Sequence, residues 1–421
     1  MTTSATQPGC PYRLDATGAD IHGEGTTLRA LGPAARVLLP GDIPAWSVTD
    51  PNLIRRLLAH PDVSKDAYRH WPAYRDGRVP PTWPLRIWVD VRNALTAYGA
   101  EHTRLRAPLA DALTPRRVRA LTPQITTITH ELLDELGTHS RPGHAVDLRA
   151  RFAWRLPLLV VNAVLGVPDH LHDAFRDAIG ALFATALTEQ QAQAAYAEIY
   201  RLLNELVDAK TKTPADDVTH ALITHREAGT LSDQELLDSL LLLIGAGHET
   251  TVNLLDHAVV NLLTHPEQLE RARAGQTTAW DQVVEETLRH QAPVATIILR
   301  YPTRDIDDEA TGLTFQQGDA IAINYAAAGR DPATHGPNAH RFDTSRTTAR
   351  DHLAFGHGTH FCPGAPLARL EARIALPALF AAYPRLQLAV EPDDLQPLPS
   401  LISNGHQQVP VWLHSSAALT A

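Results

Sequence analysis

A mainly α-helical single domain with small β-sheets is what this sequence predicts, on three observations. Apolar residues recur with helical spacing from Leu105 to Leu288. Short strand-like runs bounded by turn residues sit toward the two ends, at 36–39, 45–49, 299–302, 320–324 and 408–413. No Gly/Ser run, charge block or internal repeat divides the 421 residues. Residues 11–421 therefore read as one domain behind a polar, flexible stretch at 1–10.

Taken in order, the first two strands flank Pro40-Gly41-Asp42, a turn sequence. His102 and Arg106 follow at i and i+4, on one face of a predicted helix. The longest apolar run, 156–167, contains Pro157 and Asn162 and is too short to cross a bilayer. A helix of some 30 residues, roughly 45 Å long, is predicted over 232–264. Ser232 and Glu235 make a capping-box signature, Leu236, Leu237, Leu240, Leu243 and Ile244 keep the helical period, and Pro266 ends it. In its middle stands Gly245-Ala246-Gly247-His248-Glu249-Thr250-Thr251. Glycine in a helix costs about 1 kcal/mol relative to alanine. These small residues either let another helix pack close or serve a site, and Glu249 either faces solvent or works there. Glu286 and Arg289, three apart on a later helix, would taken alone be a surface ion pair.

The segment Phe355-Gly356-His357-Gly358-Thr359-His360-Phe361-Cys362-Pro363-Gly364 cannot be regular helix or strand, because Gly and Pro punctuate both. The helix predicted from Ala365 carries Pro366 in its first turn, where proline is tolerated. The Cys362 sulfur thus lies just before a helix start, whose partial positive charge favours thiolate. Three uses are open: a small buried hydrophobe, a nucleophile awaiting a base, or a metal ligand. Zinc held by His357, His360 and Cys362 would lack a clear fourth ligand. A wide flat porphyrin would need just such a side-chain-poor loop.

That loop resembles the haem-binding loop of the cytochrome P-450 family, the haem-thiolate monooxygenases, whose pattern is Phe-Gly-x-Gly-x-x-x-Cys-x-Gly. The resemblance covers roughly residues 11–413 and implies the single-domain cytochrome P-450 fold with a long central oxygen-binding helix. It makes Cys362 the axial ligand of the iron of haem b (iron-protoporphyrin IX), with Phe355, Gly356, His360 and Gly364 cradling the cofactor. Residues 246–250 are similar to the family's Ala-Gly-x-Asp/Glu-Thr, which implies that Ala246 lies against haem and O2. Glu249 would then be the proton-relay acid and Thr250 the hydroxyl that orients reduced oxygen on the iron. Glu286 and Arg289 match the family's Glu-x-x-Arg, a buried structural pair joined by a later arginine, which the resemblance places at Arg341. His102, Arg106, Arg300 and His360 match positions that hold the haem propionates.

No Gly-x-Gly-x-x-Gly nucleotide fingerprint follows a strand, and two cysteines cannot ligate an iron–sulfur cluster. Electrons are therefore expected indirectly from NAD(P)H, through the separate ferredoxin and ferredoxin reductase that the family uses. Arg104, Arg116, Arg117, Arg346, Arg350 and Arg373 are candidates for docking an acidic ferredoxin. Net charge −10 argues against a nucleic-acid partner. Without a signal-like N-terminus, a cytoplasmic monomer off the membrane is expected. Abundant alanine, and basic charge that is almost wholly arginine, suit an actinobacterial source. By the family's layout the pocket is lined by 71–93, 175–196, 242–246, 294–298 and 401–404, largely apolar, so a bulky hydrophobic substrate is expected. The segments 20–24, 60–66 and 70–72 look similar to an actinobacterial group that oxidises steroids and macrolides. Steroid-like hydroxylation comes first, natural-product tailoring, including oxidative coupling, second. A haem sensor would have no need of Glu249-Thr250, and peroxide-driven relatives usually lack that pair.

Overall fold

The computed structural model describes residues 11–413 apart from 140, 142, 183–188 and 276. The expected flexible stretch 1–10, and part of the 175–196 pocket wall, lie outside the described residues.

The strands gather mainly into one six-stranded sheet. Its members are β1 (Tyr12–Arg13), β2 (Ala34–Leu39), β3 (Ile43–Val48), β4 (Val63–Ser64), β5 (Thr296–Pro302) and β6 (Ile321–Asn324), in the order β1-β2-β3-β6-β5-β4. β2 and β3 are antiparallel, so the Pro40-Gly41-Asp42 turn does what its sequence demands. All four residues of β6 are buried, which explains the apolar run Ile321-Ala322-Ile323 before Asn324. Between β5 and β6 the register slips between Ile297 and Arg300. Such an irregularity re-aims a side chain, and here the side chain is Arg300.

The helices that position the site are α1 (Ala100–Ala112), α2 (Thr122–Thr138), α3 (Arg155–Leu165), α4 (Asp233–Thr264), α5 (Thr277–His290) and α6 (Ala365–Ala382). α4 begins with the predicted capping box: Ser232 Oγ accepts from the Glu235 N–H at 3.2 Å, and a Glu235 carboxylate oxygen accepts from the Ser232 N–H at 2.8 Å. Every residue from Thr251 to Leu262 except Val260 is buried, so this half of α4 is enclosed nearly all round and packs on α3, α5 and α6, carrying the polar Asn253, Asp256, His257 and Asn261 into the interior. The two glycines of α4 differ in purpose. A Cβ on Gly247 would press Val161 of α3 at 3.3 Å, the close-packing use; a Cβ on Gly245 would meet nothing.

The Glu286–Arg289 pair is fully buried. Arg289 donates to both Glu286 carboxylate oxygens (2.6 and 2.7 Å) and to the carbonyls of Gly329, Ala339 and Arg341 (2.7–2.8 Å). The third arginine is not Arg341. Arg341 is exposed and lends only its carbonyl, whereas Arg346 Nε donates to Glu286 at 3.3 Å. The cause is a turn in which Asp343 N–H caps Glu286 at 2.8 Å and Arg346 N–H returns to Asp343 O at 3.0 Å, folding Arg346 inward. Within the expected pocket segment 71–93, Trp71 and Trp83 are core instead. Trp71 stacks on Tyr301 (5.3 Å between rings) and meets Trp83 edge-on (5.8 Å).

Candidate functional site: a thiol loop, a buried cationic cluster and an acid–alcohol helix

The 355–364 loop is shaped by its own backbone. Gly356 and Gly358 have φ of +74° and +69°, and a Cβ on Gly358 would stand 2.5 Å from Leu58 O, so only glycine fits there. Cys362 N–H donates to Phe355 O at 2.9 Å and closes the loop. Phe355 lies beneath the Arg369 guanidinium, 4.5 Å from its ring centre. A Cβ on Gly364 would touch Cys362 Sγ at an ordinary 3.7 Å, so nothing in the protein alone demands glycine there. Two influences oppose each other at Cys362. Burial pushes the Cys362 thiol up, while N–H groups of Gly364 and Ala365, then Arg106 and Arg369, pull it down without prevailing. A metal taking the proton's place would hold the sulfur as thiolate.

Beside the loop, basic side chains converge from four elements. His102 and Arg106 come from α1, Arg300 from the β5 irregularity, His360 from the loop, and Lys65 from just beyond β4. The His102 and His360 rings are 4.0 Å apart, and Arg106 Nη2 donates to Phe361 O at 2.5 Å. Lys65, His102 and Arg300 are buried, and His102 Nε2 and Arg300 Nη1 have no hydrogen-bond partner among the described residues. Burial holds Lys65 well below the usual lysine range, with Arg300 next in effect. His102 is lowered to about 4 by burial, then by Arg106, Arg300 and Lys65. Burial also lowers His360 and Arg300. None of these shifts involves a carboxylate. A cluster of largely buried basic side chains with unpaired donors, and no carboxylate acting on them among the described residues, fits a ligand that brings its own two carboxylates, as haem does. Lys65 was missed from sequence, yet it carried a signal. It is one of three lysines in the chain, the others being Lys210 and Lys212.

On α4, Thr250 Oγ1 donates to Ala246 O at 2.7 Å, and Ala246 is exposed on the helix face. Glu249 accepts from Ser403 Oγ at 2.7 Å. Burial raises the Glu249 carboxyl, against the opposing pull of Ser403 and Arg149. Ser403, read from sequence only as part of the 401–404 pocket wall, is the second residue whose partner the sequence did not reveal.

The expected docking arginines separate. Arg346 is buried against Glu286, Arg104 pairs with Glu101 and Glu235, Arg117 with Asp216, and Arg373 with Asp281. Arg116 and Arg350 are the exposed ones, Arg350 lying 3.8 Å from Glu285. No described helix is long and apolar enough to cross a membrane.

A sequence profile described as Cytochrome P-450 matches residues 144–404. The chain is 39% identical over 413 residues to a 2-hydroxy-5-methyl-1-naphthoate 7-hydroxylase of Streptomyces carzinostaticus, covering 98% of this chain and 100% of that protein. Its backbone is similar to CYP154A1 from Streptomyces coelicolor A3(2) (TM-score 0.87, 48% identity, 96% of this chain and 100% of that one). It is also similar to a CYP154C4 from Streptomyces sp. ATCC 11861 described as testerone-bound (TM-score 0.90, 39% identity, 96% and 99%).

Proposed function

The chain belongs to the cytochrome P-450 family of haem-dependent monooxygenases, and on that premise we propose that it hydroxylates a bulky, uncharged, steroid-like substrate. Electrons would come from NAD(P)H by way of a ferredoxin reductase and a ferredoxin. The observation that carries the cofactor reading is the buried cationic cluster. Cys362 would ligate the iron; Lys65, His102, Arg106, Arg300 and His360 would hold the two propionates; Phe355, Gly356, Gly364 and Ala246 would bound the ring. When bound, the haem supplies activation of O2 for insertion of one oxygen atom into a C–H bond.

The protein's own part is binding, positioning and proton handling. Burial keeps Glu249 ready to carry a proton, because a carboxyl raised toward neutral pH both gains and gives protons. Thr250 Oγ1, anchored on Ala246 O, presents a hydroxyl oxygen beside the exposed Ala246. This division of labour favours an O2-dependent enzyme over a peroxide-driven one or a sensor.

For substrate, three of the expected pocket walls, 242–246, 294–298 and 401–404, contain no charged residue. A carboxylate bound there would be desolvated without a partner, which favours a neutral polycycle over a naphthoate. The likeness to the testerone-bound relative supports the same choice, and polyketide or macrolide tailoring stands as the second reading. Screening the Soret-band shift with steroids, macrolides, fatty acids and a naphthoate tests it. Steroids should give the largest shift at the lowest concentration; response to the naphthoate alone would overturn the substrate assignment.

A further inference from the structure

Glu249 is gripped from outside its own helix. Ser403 Oγ donates to Glu249 Oε1 at 2.7 Å, and Asn253 Nδ2, one turn further along α4, donates to Ser403 Oγ at 3.0 Å. Because Asn253 supplies a proton to the hydroxyl oxygen, the single Ser403 proton is directed at Glu249. The segment carrying Ser403 is itself fastened to α4 and to the strand side. Asn404 N–H donates to Pro293 O at 2.9 Å. His406 donates its backbone N–H to Asp256 at 2.9 Å, and its Nδ1 lies 2.6 Å from the same carboxylate, which also holds Arg149 at 2.6 Å. Between them, a Cβ on Gly405 would meet Asn253 Oδ1 at 2.3 Å, so the backbone lies directly on the Asn253 amide.

We propose that Ser403 is a positioning residue for proton delivery, anchoring the Glu249 carboxylate between one proton transfer and the next. This rests on the reading of Glu249 as the relay acid. A hydroxyl that donates to a carboxylate stabilises the ionised form, so Ser403 opposes burial, the dominant influence on Glu249. The other ionisable groups nearby are Arg149 from the short π-helix (Arg149–Ala153) before α3, Asp256 and His257 on α4, and His406 from the C-terminal segment. Arg149 pulls in the same direction as Ser403 but is committed to Asp256. His257 is held to about 4 by burial and is neutral at pH 7. Asp256 is enclosed by Arg149 and His406. Ser403 is thus the direct hydrogen-bond partner that sets where the Glu249 carboxylate sits.

The test is an infrared titration of the Glu249 carboxyl band in the full-length, haem-loaded protein, assigned by its loss in Glu249→Gln. In Ser403→Ala the ratio of ionised to neutral Glu249 at fixed pH should fall about tenfold, the worth of one hydrogen bond to a charged group. Ser403→Thr, which keeps the hydroxyl, should restore it. In turnover, Ser403→Ala should raise the solvent isotope effect on product formation, and adding it to Glu249→Gln should change nothing further. An unchanged titration in Ser403→Ala overturns the positioning role. If Glu249→Gln leaves coupling of electrons to product intact, the relay reading fails, and the proposal falls with it for that separate reason.

Discussion

Lys65→Met should have opposite effects on the haem-loaded and haem-free protein. Lys65 is only 4% exposed, and its nearest charged influence is another cation, Arg300. With a propionate beside it, losing the lysine breaks a buried charge pair, at a cost of about 3–5 kcal/mol. Haem release should therefore accelerate about a hundredfold to several thousandfold. Without haem, the same lysine is a buried amine whose charge is penalised. Its folded value lies well below the usual one, which the unfolded chain keeps at about 10.4. Between the two values the unfolded chain holds one more proton, so haem-free stability rises with pH by about 1.4 kcal/mol per pH unit. Methionine has no such proton. The slope should vanish, and the haem-free variant should be more stable than the parent at neutral pH. Haem transfer to excess globin scavenger measures the first effect, and urea midpoints of haem-free protein across neutral to alkaline pH measure the second. Unchanged haem release, with haem-free stability lowered and its pH slope retained, would refute the assignment of Lys65 to the propionates.

Two further outcomes follow from the geometry. Thr250→Ala removes the hydroxyl anchored on Ala246 O; more of the electron flow should end in released hydrogen peroxide relative to product, with haem content retained. Unchanged coupling would remove Thr250 from the mechanism. Arg289→Met leaves Glu286 buried with only Arg346 and the Asp343 N–H, a loss of about 3–5 kcal/mol. For a chain of this size that corresponds to a fall in Tm of about 3–6 °C by calorimetry; no change in Tm would show the pair to be dispensable.

What could be read from sequence was what the chain encodes locally. The 355–364 loop, the Ser232/Glu235 cap and the His102/Arg106 pair each lie within a few residues of one another, so spacing alone reveals them. Arg346 was obscured because its inward fold depends on the turn that starts at Asp343 and brings in a residue five positions after Arg341. Lys65 and Ser403 reach the site only through tertiary assembly: Lys65 follows a two-residue edge strand paired to β5, and Ser403 is set by the contacts of 403–406 with α4. Cys362 divides along the same line. The favourable helix start is local and visible, whereas the burial that outweighs it comes from the whole fold.

Cys362 is proposed to hold the haem iron as thiolate. The carbon monoxide difference spectrum of the reduced protein tests it most directly. Wild-type protein should show the band of thiolate-ligated haem, and Cys362→His should replace it with the band of imidazole-ligated haem while the cationic cluster retains the cofactor. A thiolate-type band that survives in Cys362→His would remove Cys362 as the iron ligand.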